Sequence, residues 1–273
     1  MKKIIESFVI SLDDTNGQKR LRNFHKNVQE HLNGVCGQVN IFAASRHQRG
    51  GTYGCWDSHV KVLKKALSLN LDYVLIFEDD AIITSDFSTD LLTQIISSLI
   101  LLPHDWDLVG LGGVSACWAS APRRVANKFY QGPFFELHSY IASKKFMQSV
   151  LDMEYDGQVD YAFARKAYST SYLTEKELFT QDDNLGSHNK LQQLILPLRG
   201  PFKTINRALM KLQLKIRNLV ILFLFICTFS KSKKTFIASC IAFFLLVLFD
   251  SVLDPSFAFQ SSNINKTSFL CFN

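Results

Sequence analysis

The sequence predicts an α/β fold: a mixed, mainly parallel sheet flanked by helices on both faces, followed by a C-terminal hydrophobic helical tail. Strand-like and helix-like segments alternate through about residue 165, the pattern of a sheet built by crossover connections. The apolar fraction, 47%, is ample for the core such a sheet needs. The composition then changes. Residues 199–273 hold ten Lys/Arg against two Asp/Glu, whereas residues 1–198 hold 20 against 22. The formal charge of +6 therefore belongs to the last quarter of the chain. A mildly acidic body argues against nucleic-acid binding, and a basic tail suits an anionic surface.

The elements follow in order. SFVISL (7–12) reads as a first strand, and DDTNG as a turn marked by Asn16-Gly17. Residues 18–32 carry Leu21, Phe24, Val28 and Leu32 at helical spacing. VNIFAAS (39–45) is a second strand, RHQRGG a polar loop, and 58–69 a helix with Val60, Leu63, Ala66 and Leu67 on one face. Residues 73–77 form a strand apolar on both sides. Residues 91–102 form a helix stopped by Pro103. WDLVGLGG (106–113) and ELHSYIAS (136–143) are further strands, the second leading into a short helix at 144–151.

Three units are expected: a body at 1–200, membrane-associating helices at 201–253, and a loose Ser/Asn/Phe-rich end at 254–273. In 203–219, Ile205, Leu209, Leu212, Ile216 and Leu219 share one helical face and the basic residues mostly take the other, as in an interfacial helix. Apolar runs follow at 219–229 and 235–249. As helices they measure roughly 17 Å and 22 Å, against about 30 Å of hydrocarbon, so an embedded or surface-lying anchor fits better than a span. A hydrophobic helix pair packed on the body is the alternative. The six cysteines form no C-x-x-C pair, which disfavours a zinc or disulfide framework and points to a reducing compartment. The N-terminus is too short and too charged for a signal peptide, so the sequon at Asn265 is read as chance.

The chemistry concentrates in LDYVLIFEDDAIIT (71–84), where Glu78, Asp79 and Asp80 end an apolar strand. Three like charges need an offset: water, a basic side chain or a cation. On an extended backbone Glu78 and Asp80 share one side and Asp79 faces the other. Two converging oxygen donors suit Mg²⁺ or Mn²⁺. The competing reading is that Asp79 or Asp80 caps a following helix.

The surrounding block, GGTYGCWDSHVKVLKKALSLNLDYVLIFEDDA (50–81), resembles the signature of glycosyltransferase family 25, which includes bacterial lipooligosaccharide galactosyltransferases and collagen galactosyltransferases. The matching residues are Gly51, Gly54-Cys55, Ser58-His59, the helix to Ala66, and Glu78-Asp79-Asp80-Ala81. The start (8–24) is similar to the family's first strand and helix, with Ser11 and Gln18-Lys19-Arg20 where an Asn and paired arginines are usual. VDYAFAR (159–165) and LFTQDDNLGSH (178–188) resemble later blocks more loosely.

The resemblance implies a GT-A-like, Rossmann-type fold, a UDP-galactose donor, and inverting transfer to a sugar hydroxyl of a glycan acceptor; the basic, apolar tail then suits a lipid-linked acceptor presented at the cytoplasmic face of a membrane. It also implies Mn²⁺ or Mg²⁺ on Asp80, with Glu78 close by; His188 is a candidate third ligand, since imidazole suits Mn²⁺. Asp160, among aromatic residues, is the candidate base. Asp79, Gln181 and Arg20 are candidate substrate contacts, as are Gly112 and Gly113, whose backbone lies open to a sugar. His59 is expected to bond internally. Two other functions fit the residues: a different metal-dependent nucleotide-processing enzyme, and an inactive homologue acting as a membrane-bound binding module.

Overall fold

The computed structural model describes residues 5–32, 34–115, 123–125 and 128–182, together with Arg207. The expected tail at 201–253 and end at 254–273 lie outside the described residues, Arg207 excepted. Among the described residues no helix is long and apolar enough to cross a membrane.

Strand β1 (Ser7–Leu12) leads into α1 (Thr15–Asn27) and a 3₁₀ turn at Gln29–Leu32. The turn expected at Asn16-Gly17 is instead the first turn of this helix. The Asp14 side chain caps it by accepting from the Gly17 amide at 2.9 Å. Gly17 serves packing there, since a Cβ would stand 2.0 Å from the Leu12 carbonyl oxygen. Next come β2 (Asn40–Ala44) and α2 (Gly51–Ser68). Helix α2 starts seven residues earlier than its apolar spacing predicts. Its two early glycines are poor helix formers, but Tyr53 and Trp56 pack on Tyr155 and hold that first stretch helical.

Strand β3 (Tyr73–Glu78) is followed by β4 (Ala81–Ile83), α3 (Thr89–Ser98), β5 (Leu108–Gly110), β6 (Val114–Ser115) and β7 (Arg123–Val125). Then come β8 (Phe129–Gln131), β9 (Phe134–Phe135), β10 (Ser139–Ser143), α4 (Lys144–Ser149), α5 (Val159–Lys166), β11 (Ser171–Thr174) and β12 (Phe179–Gln181).

The central sheet has eight strands in the order β2-β1-β3-β10-β5-β11-β8-β7. Strand β1 is parallel to β2 and β3, and β5 is parallel to β11. Strand β10 runs antiparallel to both neighbours, as β8 does to β11 and β7. The sheet is thus mixed rather than mainly parallel. The chain returns to its centre through short strands at 114–135 instead of a crossover helix, and such a return enters antiparallel. Two-stranded pairs, β12 with β4 and β6 with β9, build out from the sheet.

The sheet is covered on both faces. Val74 and Ile76 of β3 join Val60, Leu63, Phe146 and Phe163 in one core. Leu75 and Phe77 join Phe24, Val28, Leu92 and Ile95 in the other. A strand buried on both sides reads as a continuous apolar run, which is why 73–77 lacks alternation. Each such side chain contributes about 1.5–3 kcal/mol on burial. That investment fixes where β3 ends, and so where its carboxylates emerge.

Candidate active site

Strand β3 stops at Glu78, and Asp79 and Asp80 form the turn into β4. No helix follows, so the capping reading of these acids does not hold. Their charges are divided among different partners. Asp79 is buried; it accepts from Ser11 Oγ at 2.8 Å and pairs with Arg20 of α1 at 3.2 Å. The same guanidinium nitrogen lies 3.6 Å from Asp80. Burial pushes the Asp79 carboxyl up, and Ser11 and Arg20 only partly offset this. Arg20 is therefore a basic side chain that offsets part of the triplet, one of the three solutions the sequence left open.

Glu78 turns the other way. Its Oε1 lies 3.0 Å from His59 Nε2 on α2, and its Oε2 accepts from Gln181 Nε2 on β12 at 3.2 Å. The other His59 nitrogen, Nδ1, bonds the Tyr140 hydroxyl at 2.9 Å. His59 is buried and bonds internally, as its place on the apolar face of α2 predicts. Burial raises the Glu78 carboxyl, but the bonds from His59 and Gln181 together with the influence of His59 and His138 hold the group below the ordinary glutamate value. Gln181 reaches this spot because β12 pairs with β4, setting Gln181 opposite Ala81.

Asp160 lies in the first turn of α5. Its two oxygens accept from the backbone amides of Glu136 and Leu137 at 3.3 and 3.4 Å. Glu136 holds a left-handed backbone, φ 70°, to present that amide. Such a conformation costs a non-glycine residue about 1–2 kcal/mol, a cost the surrounding structure must override. Burial and then the Glu78 charge push Asp160 up to about 6, against weaker opposition from His59 and the Glu136 amide. A carboxylate with that value is mostly ionised at neutrality yet basic enough to suit general-base work.

Cys55 is an exposed residue whose Sγ lies 3.9 Å from Glu78 Oε1; desolvation around the sulfur, and then the charges of Glu78, Asp160 and Asp80, push its thiol well up. Asp80 lies with Asp79 beside Arg20 while Glu78 turns toward His59 and Gln181, so the two donors expected to converge on one side have different partners. A hard divalent cation would fall to Asp80 and Glu78, since Asp79 is committed to Ser11 and Arg20. His188, the expected third ligand, lies outside the described residues.

The glycines are a correction. A Cβ on Gly112 would lie 2.0 Å from the Phe179 carbonyl oxygen and 2.5 Å from His138 Nε2. One on Gly113, which has φ +86°, would lie 2.2 Å from the Phe135 carbonyl oxygen. Both glycines are buried and admit the protein's own chain, leaving no space beside them for a sugar. Gly110 likewise abuts the Phe134 ring. Cys55 and Tyr140 touch the Glu78–His59 pair and were not among the expected site residues, although Cys55 falls in the matched block. Cys55 stands four residues before His59 on α2, a spacing that puts both on one face, and this signal was legible. Tyr140 gave no signal beyond alternation in its strand.

Residues 29–101 match glycosyltransferase family 25 (LPS biosynthesis protein). The family 25 match takes in α2 with Cys55 and His59, β3 and the acidic turn, and ends before Asp160 and Gln181. No curated protein matches the chain. Among solved structures, a mutant of a Drosophila β-1,4-galactosyltransferase, solved with manganese, UDP-Gal and xylobiose, is 12% identical, with a TM-score of 0.38, over 69% of this chain and 74% of that one. A UDP-glucose pyrophosphorylase complexed with UDP-glucose is 12% identical, with a TM-score of 0.39, over 73% of this chain and 81% of that one. The apo glycosyltransferase GlyE of Streptococcus pneumoniae is 11% identical, with a TM-score of 0.35, over 74% and 51%.

Proposed function

We propose that this chain is a GT-A-type inverting glycosyltransferase that moves a hexose from a nucleotide-sugar donor, UDP-galactose first among them, onto a glycan or lipid-linked acceptor of the lipopolysaccharide class. The observation that carries the reading is the family match over the acidic end of β3, joined to an Asp160 carboxylate that burial and the Glu78 charge hold at a base-like pKa of about 6.

In this reading Asp160 accepts the proton of the acceptor hydroxyl. The acceptor oxygen then forms its bond to the anomeric carbon as the bond to the nucleoside diphosphate breaks, and the diphosphate leaves with the electron pair. The amides of Glu136 and Leu137 fix the Asp160 oxygens for this step. Gln181 and His59 orient Glu78, and Arg20 adds positive charge beside Asp79 and Asp80. A Mn²⁺ or Mg²⁺ ion on Asp80 and Glu78 would supply charge stabilisation for the departing diphosphate.

The basic segment at 203–219 is proposed to hold the protein at the cytoplasmic face of a membrane, where a lipid-linked acceptor is presented. The experiment is a panel of sugar nucleotides with Mn²⁺, scored for nucleoside diphosphate release and product. UDP-galactose turnover that falls by about 10²–10⁴ in Asp160→Asn is expected. Nucleotide cleavage without sugar transfer, or wild-type turnover in that variant, removes the reading.

A further inference from the structure

Cys55 and His59 stand one helical turn apart on α2, on the face that meets the end of β3. Both converge on a single oxygen. Cys55 Sγ is 3.9 Å and His59 Nε2 is 3.0 Å from Glu78 Oε1, and the three donor atoms all lie within 4.8 Å of one another. In a tetrahedral zinc site, bonds of about 2.3 Å to sulfur and about 2.0–2.2 Å to nitrogen and oxygen separate the ligand atoms by roughly 3.3–3.7 Å. The observed spacings bracket that range, and the side chains that must adjust are the exposed Cys55 and the partly exposed Glu78.

The supporting partners are also present. Tyr140 bonds His59 Nδ1 at 2.9 Å and leaves Nε2 facing the cluster. Gln181 donates to Glu78 Oε2 at 3.2 Å and leaves Oε1 facing it. Ligands oriented through their second atom are the mark of a built metal site. Asp80 and Asp160 add negative charge around the same thiol. A cysteine and a histidine four apart on one helix form a rigid pair with a softer donor set than any carboxylate cluster offers.

We propose that Cys55, His59 and Glu78 bind a thiophilic divalent cation of the Zn²⁺ class, with a further coordination position open on the exposed Cys55 side. Binding releases the thiol proton to solvent. This ion is distinct from the hard cation assigned to Asp80 and Glu78. Both need Glu78, so the zinc-loaded form and the donor-competent form exclude one another. Only that exclusion rests on the glycosyltransferase reading, and it makes the thiophilic ion an inhibitor.

The test uses full-length, metal-stripped protein titrated with Co²⁺, followed by thiolate-to-cobalt absorption and then by displacement with Zn²⁺. The band is expected in wild type and in Cys36→Ser, and lost in Cys55→Ser, a change at an exposed position that the fold tolerates. In wild type, Zn²⁺ should slow iodoacetamide alkylation of Cys55, read on its peptide by mass spectrometry, at least roughly tenfold, and Mg²⁺ should not. A cobalt band that persists in Cys55→Ser, or alkylation unchanged by Zn²⁺, overturns the site. Neither measurement involves sugar transfer, so loss of the site leaves the transfer reading standing, and loss of that reading leaves the site standing.

Discussion

The guanidinium of Arg20 lies 3.2 Å from the carboxylate of Asp79, between a helix and a strand end that are 59 residues apart in the chain. This pair secures α1 to the acidic turn. Both side chains are largely buried, at 15% and 9% exposure, and removing one partner of such a pair costs far more than losing a surface bridge. Arg20→Ala is expected to destabilise the protein by about 3 kcal/mol, read as a lowered urea midpoint at unchanged slope. Adding Asp79→Asn should restore part of the loss, because the stranded charge is then gone. An Arg20→Ala midpoint equal to wild type would show that the pair is spent on its own desolvation.

Asp160 gives a pH signature. Its native value of about 6 lies above the ordinary aspartate value of 3.8, so between these two values the folded protein keeps a proton that the unfolded chain has lost. Stability should therefore fall as pH rises through that window and level off above it, and Asp160→Asn should remove the slope. Activity should move the opposite way, because only the ionised carboxylate accepts a proton. The log of kcat/KM is expected to rise with pH and bend near 6. A flat profile from pH 5 to 7, on the order of the range such a group covers, would exclude Asp160 as the base.

How much of this was legible varies with distance along the chain. Strand β3 and its acidic end were readable because burial on both faces writes a continuous apolar run. Leu21, Phe24 and Val28 marked α1 by spacing alone, yet Asn16-Gly17 misled, since a glycine chosen for closeness to Leu12 looks the same as one chosen for a turn. Strand β10 hid its direction because pairing sense depends on the path of residues 114–135 and not on its own side chains. The meeting of Glu78 with Gln181 spans 103 residues, and that of Arg20 with Asp79 spans 59. Local pattern carries no register between such segments, so the partners had to come from the fold.

Gly112 makes the packing role testable. A methyl group there would meet the Phe179 carbonyl at 2.0 Å, and that backbone belongs to β12, which carries Gln181. Gly112→Ala should cost about 1–3 kcal/mol by overpacking and shift β12. If the glycine instead only made room for a sugar, the variant would keep its thermal midpoint and lose donor affinity alone. Thermal unfolding and a donor titration on the same variant separate the two.

Arg207 is the last case, and it bears on how the tail should be tested. Its guanidinium donates to the carbonyl oxygens of Thr174 at 2.8 Å, Glu175 at 3.2 Å and Gly113 at 3.1 Å, and its Nε lies 4.0 Å from the Glu177 carboxylate. Its side chain is 11% exposed, and burial draws its pKa down against the pull of Glu177 and Glu136. Three backbone acceptors of the body thus depend on one residue from beyond the boundary expected at 200. Arg207→Ala should cost about 1–3 kcal/mol through unsatisfied carbonyls, and Arg207→Lys should recover little, because an ammonium cannot present a planar fork to three acceptors. A chain cut after residue 200 should show the same loss in its melting temperature, whether or not it also leaves the membrane fraction. Membrane release on truncation therefore counts as anchoring only if Arg207→Ala, with the tail intact, still sediments with membranes. Release by that single substitution would trace the effect to the body's fold instead.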